Sequence, residues 1–190
     1  MTPSDPLQFA DQRAFEAWLR THQADSDGVW LLLAKAGAPA RTVTYAEAVE
    51  VALCHGWIDG QKKSRDDSHF LQRFTPRRAR SPWSKINRTK VEALVASGRM
   101  QPAGQAEIDR AKADGHWDTA YDGARTSTVP ADLQAALQAQ PGANAFFATL
   151  DAANRYAVLW RVQTASKPAT RARRIEKLVA MLARGEKIHR

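Results

Sequence analysis

The stretch TYAEAVEVALCHGWIDGQKK, residues 44–63, decides the architecture, because a helix stops and a strand starts inside it. Thr44 and Glu47 stand in the T-x-x-E spacing of a capping box, where hydroxyl and carboxylate satisfy the amide N–H groups that a first helical turn leaves without partners. Tyr45, Ala48, Val49 and Ala52 recur at helical spacing and form its buried stripe. Gly56 then sits where a left-handed residue ends a helix. Beyond it, WIDGQKK (57–63), the turn SRDDS (64–68) and HFLQRF (69–74) read as a hairpin.

Upstream, VWLLLAK (29–35) is apolar on both alternating sets, Val29, Leu31 and Leu33 against Trp30, Leu32 and Ala34, which predicts a strand buried on both faces. A small antiparallel sheet of about three strands is therefore expected near residues 29–35, 57–63 and 69–75. Before it, Asp11 caps a helix carrying Phe15, Trp18, Leu19 and His22 on one face. After it the pattern is helical. One helix starts with Ser81 as N-cap and Pro82 at the first position and stops at Gly98, and another runs between Pro102 and Gly115. HWDTAYDGARTSTV (116–129) reads as an ordered loop anchored by Trp117 and Tyr121. Shorter helices begin at Pro130 and near Gly142, a longer one runs from about Asp151 to Ala165, and the last follows Lys167-Pro168 to near Gly185. The fold class is α+β, mainly α, with the sheet in the N-terminal half and a C-terminal helical cluster. Residues 1–190 are expected to form a single compact unit, 1–98 its α/β part and 99–190 its helical part.

The chain has 190 residues, 44% of them hydrophobic and 25% charged, with six Trp, as in a folded globular protein rather than a disordered one. One cysteine excludes an internal disulfide framework and a zinc-type Cys pair, and His22, His55, His69, His116 and His189 have no ligand spacing, so no metal is implied. No stretch approaches the roughly 20 apolar residues that cross a bilayer, and MTPSDPLQFADQRAFEAWL lacks the pattern of a secretory leader; cytoplasmic residence is the expectation. The net charge of +8 is concentrated. Residues 62–90 hold ten bases against Asp66 and Asp67, and residues 161–190 hold nine against Glu176 and Glu186. Such runs attract phosphates, nucleic acid or acidic surfaces, or are simply solvated faces.

Four places carry chemistry. Cys54 and His55 are adjacent, but neighbours on a helix project about 100° apart, which works against a thiolate–imidazole pair; Cys54 reads as a small buried apolar group. Asp59, in a region short of acids, needs a basic partner or serves as a general base. In FTPRRARSPWSKIN (74–87), Arg77 and Arg78 approach a helix N-terminus at which Ser81, Ser84 and Asn87 face an anion and Trp83 stacks on a planar ligand, or else Ser81 caps and Trp83 packs. On the last helix Ile175, Leu178, Val179 and Leu182 form the buried stripe, and Arg171 falls within it while Arg173, Lys177 and Arg184 lie opposite. A cation on an apolar face needs a carboxylate or a cavity. Asp59 is the nominated partner of Arg171, with Lys167 and Arg174 flanking the same pocket.

YAEAVEVALCHGWIDGQKK, FTPRRARSPWSKIN, GRMQPAGQAEIDRAKADGHW (98–117) and ASKPATRARRIEKLVAML (165–182) together resemble the bacterial YdeI/OmpD-associated family, also labelled bacteriocin-protection proteins, over residues 8–188. The resemblance implies a link with resistance to cationic antimicrobial peptides and with an outer-membrane porin, and for some members a periplasmic location. Walker, G-x-G-x-x-G, H-E-x-x-H and G-x-S-x-G patterns are absent, so no cofactor is expected. The sequence thus predicts a stress-associated or antimicrobial-resistance-associated protein that binds an anionic small molecule or phosphate group in a basic, Trp-lined pocket. Its ligand-binding residues would be Trp57, Asp59, Arg77, Arg78, Trp83, Ser84, Asn87, Lys167, Arg171 and Arg174. Two alternatives stand beside it: a non-specific nucleic-acid-binding protein, and an enzyme using Asp59 or Cys54.

Overall fold

The computed structural model describes residues 5–189; residues 1–4, part of the stretch read as lacking a leader, and Arg190, part of the second basic run, lie outside them. In chain order the elements are α1 (Gln12–His22), β1 (Val29–Ala34), α2 (Tyr45–Cys54), β2 (Trp57–Ser64), β3 (His69–Pro76), α3 (Lys85–Ala96), α4 (Pro102–Ala113), α5 (Ala131–Gln138), α6 (Pro141–Ala148), α7 (Ala152–Gln163) and α8 (Pro168–Ala183). They sort into two compact units. The N-terminal unit extends to Ser81 and includes Asn87–Trp117; the C-terminal unit comprises Pro82–Ile86 and the chain from Asp118.

In the N-terminal unit the caps read for α1 and α2 form. Asp11 accepts from the Ala14 amide at 2.9 Å. The Thr44 hydroxyl accepts from the Glu47 amide at 3.3 Å, while the Thr44 amide donates to the Glu47 carboxylate at 2.8 Å. The Thr44 amide, first, and the Thr44 hydroxyl, donating to the same carboxylate at 2.8 Å, hold the Glu47 carboxyl below its ordinary pKa. Gly56 takes φ +73° and ends α2, and a Cβ there would crowd the Ala103 carbonyl. Gly104 matches it on α4, where a Cβ would overlap the Cys54 carbonyl oxygen. The two glycines let the end of α2 rest on the start of α4, and the Gln101 amide donates to the Cys54 carbonyl at 3.2 Å.

The sheet has the order β1-β3-β2, antiparallel throughout, with Val29 opposite Phe74 and Trp57 opposite Pro76. A bulge falls between Asp59 and Lys62, and the buried Gln72 side chain donates to the Gly60 and Gln61 carbonyls that the bulge frees. Helices α1 and α2 cover one face: Phe15 meets Phe74 at 5.7 Å between ring centroids, and Trp18 meets Trp57 edge-on at 6.2 Å. Here the expectation for β1 is corrected. Val29, Leu31 and Leu33 are buried beneath the helices, but Trp30, Leu32 and Ala34 lie half-exposed on the other face.

A second correction concerns α3, which begins at Lys85 and not at Ser81-Pro82. The Tyr121 amide donates to the Trp83 carbonyl and the Lys85 amide to the Tyr121 carbonyl, both at 2.9 Å, so the backbone of 83–85 forms a parallel bridge instead of a first helical turn. In the C-terminal unit α5–α8 close around Leu133, Leu137, Phe147, Val158, Val162 and the α8 stripe Ile175, Leu178, Val179 and Leu182. Loop 116–129 is anchored as expected. Tyr121 packs edge-on to Trp160, Tyr156 donates to the Asp122 carbonyl, and Gln163 bridges the Asp122 amide and Ser127. Trp117 is buried in the N-terminal unit beneath the Arg88 guanidinium.

Candidate functional site

The C-terminal unit carries an open trough of about 860 Å³ between α5 and α8. Its long wall is α8, contributing residues from Pro168 to Ala183 at helical spacing, among them Arg171, Ala172, Ile175, Val179 and Ala180. The opposite wall is α5 and the residues after it, with Asp132, Ala136, Ala139 and Gln140. Four exposed alanines, at 139, 172, 180 and 183, line the rim, while Ile175 and Val179 serve both this floor and the core behind it. Small side chains let another backbone come close, and the 16 residues of α8 give the trough a length of about 24 Å at about 1.5 Å per residue. Its ionisable lining consists of Asp132, Glu176 and Arg171, two acids to one base.

Arg171 closes one end of this trough as a fork. Its Nε and Nη2 donate to the two Asp132 carboxylate oxygens at 2.6 and 2.8 Å, and its Nη1 donates to the Val162 carbonyl at 2.8 Å. The pair holds the Asp132 carboxyl below its usual range, chiefly through the hydrogen bond from Arg171, and holds the Arg171 guanidinium up by the same bond. Arg174, one turn on, donates to the Arg161 carbonyl at 2.6 Å and to Thr164 at 3.2 Å. Both arginines therefore donate to carbonyls of the last turn of α7, where Val162 also accepts from the Ala165 amide. The cation placed on the apolar stripe has found the carboxylate it needs, but the partner is Asp132 and not Asp59. Asp59 accepts instead from the Tyr45 hydroxyl at 2.7 Å.

The other nominated residues divide between the units. Trp57 is 1% exposed and lies edge-on to Trp18. Arg77 is buried; its amide donates to the Gly56 carbonyl, and its charge lowers the Glu107 carboxyl, although burial, the larger effect, leaves that group raised. Arg78 is exposed and its amide donates to the Ser81 hydroxyl, and Asn87 is half-buried. Trp83 and Ser84 are buried in the C-terminal unit, and Lys167 is exposed before α8. Cys54 is 5% exposed, and burial pushes its thiol up to about 11, so it stays protonated. His55 is buried as well, its Nδ1 2.9 Å from the Gln23 side-chain Oε1, and desolvation lowers its pKa. Among the described residues no group of three or more His, Cys, Asp or Glu is placed to hold a metal, and no helix is long and apolar enough to cross a membrane.

The trough eluded the sequence reading because its alanines carry no chemical signal. The one available clue was Arg171 on an apolar face, which marked the end of the trough. Residues 126–185, the segment that contains α5–α8, match the family described as Bacteriocin-protection, YdeI or OmpD-Associated. Residues 7–107 match a family described as a domain of unknown function, DUF8412. The N-terminal motifs of the resemblance thus fall under a family of their own. No curated protein and no solved structure matches the chain.

Proposed function

The chain belongs to the DUF8412 family and carries in its C-terminal unit a bacteriocin-protection module, and we propose that this module binds the apolar face of an amphipathic peptide helix in the α5–α8 trough. The trough itself carries this reading: an elongated apolar channel, floored by Ile175 and Val179 and edged with alanines, has the form of a groove that takes a helix. Burying one face of such a peptide removes apolar surface from water on both sides, and Glu176 favours a cationic side chain at the rim. Protection would then follow from sequestration of the peptide.

The whole chain at +8 repels a cationic peptide at a distance, so added salt should strengthen or leave unchanged a contact that is apolar at its centre. The test is titration of the full chain with a synthetic amphipathic peptide of about 16 residues, leucine on one face and lysine on the other, the length that α8 can accompany. Saturable 1:1 binding that survives raised salt is expected, with a loss of about tenfold or more in Ala180→Trp, whose indole would occupy the trough. Equal binding by Ala180→Trp, with its circular dichroism unchanged, would show that the peptide sits elsewhere. We favour this reading over an anion at the same helix because Arg171 is held by Asp132 and the Val162 carbonyl, and the Arg174 Nη1 by the Arg161 carbonyl and Thr164.

A further inference from the structure

We propose that the open face of the three-stranded sheet binds single-stranded nucleic acid, with Trp30 as a stacking platform and Lys63 and Arg73 as phosphate ligands. This surface lies wholly in the N-terminal unit and is independent of the α5–α8 trough. The strand registers put its residues together. Trp30 lies opposite Arg73, Leu32 opposite Leu71, and Lys63 on the far side of Leu71, so all five project from the face that α1 and α2 do not cover.

An antiparallel sheet with one solvated face ordinarily alternates apolar and polar residues. Here the open face keeps a half-exposed Trp30 with Leu32 and Leu71 around it. Two cations accompany the indole: the Lys63 Nζ lies 4.7 Å and the Arg73 guanidinium carbon 5.9 Å from the Trp30 ring centroid. An exposed cation–π contact is worth only about 0.5–1 kcal/mol, so an arriving base can displace either cation toward its own phosphate. Charge complementarity favours that occupant. The hairpin contributes Lys63, Arg65 and Arg73 against Asp67 in its turn. Of the acids nearby, Asp66 is committed to the turn, accepting from the Ser68 and His69 amides, and Asp59 receives the Tyr45 hydroxyl. A paired duplex hides the base faces that an indole stacks on, so unpaired bases are the ligand.

The test is fluorescence anisotropy of the full chain with a labelled oligothymidylate, the same length of duplex, and vesicles containing anionic lipid, across a salt series. Expected is preference for the single strand, a linear fall of log K with log salt, and a loss of roughly tenfold or more in Trp30→Ala. Trp30→Phe, which keeps a stacking face, should retain most of the affinity, which separates stacking from a loss of fold. Lys63→Ala should flatten the salt slope by about 0.7. Equal affinity for duplex, an unaltered Trp30→Ala, or binding to the vesicles alone would each overturn the proposal.

Discussion

Burial holds the Cys54 thiol at about 11, with the Arg99 guanidinium pulling the other way and Glu16 and Glu50 adding to the rise. At neutral pH the thiolate fraction is then on the order of one in ten thousand. A thiol-specific disulfide reagent at pH 8 should therefore modify the native chain at least about 100-fold more slowly than the chain in denaturant. Rapid native labelling would mean that Cys54 is accessible and ionised. The burial of Cys54 as a small apolar group was legible from helix geometry, since neighbours on a helix project about 100° apart and its side chain falls on a packing seam. The partner of Asp59 was not legible. Tyr45 was assigned to the buried stripe, yet it is 44% exposed and its hydroxyl reaches across to β2. Period alone places Tyr45 on a face, whereas its long ring carries the hydroxyl to the rim of that face, where it finds Asp59.

At the level of elements, the structure turns on how helices end. Local capping signals were readable because both partners lie within one turn: Thr44 with Glu47, Asp11 with the Ala14 amide, and Gly56 just past α2. The start of α3 was not, because the Tyr121 backbone, far away in sequence, pairs with the Trp83 carbonyl and the Lys85 amide and so holds 83–85 out of the helix. The same holds for the end of α7, where the Val162 and Arg161 carbonyls accept from Arg171 and Arg174 of α8. Arg171→Ala should lower the unfolding free energy by about 1–3 kcal/mol, since it removes the Asp132 fork together with a charged donor to the Val162 carbonyl, which keeps only its backbone partners. Arg173→Ala, on the exposed side of α8, should stay within about 0.5 kcal/mol. Urea unfolding of the two variants decides it: equal midpoints would mean that the fork is an idle surface pair.

Over the whole chain, the mainly helical α+β class and the three antiparallel strands followed from hydrophobic period and turn residues, which act locally. The binding surfaces did not follow, because each is made by juxtaposition. The trough needs α5 and α8 side by side, and the Trp30 face needs the register of three strands. Total charge misleads in the same way. The +8 of the chain suggests anions everywhere, while the trough is lined by two acids and one base. The most direct test of the trough as a peptide-binding site is amide chemical-shift mapping of the labelled full chain titrated with the amphipathic peptide. The prediction is that the saturating shifts cluster in α5 and along α8 from Pro168 to Ala183. Shifts confined to the sheet, or none at saturating peptide, would contradict it.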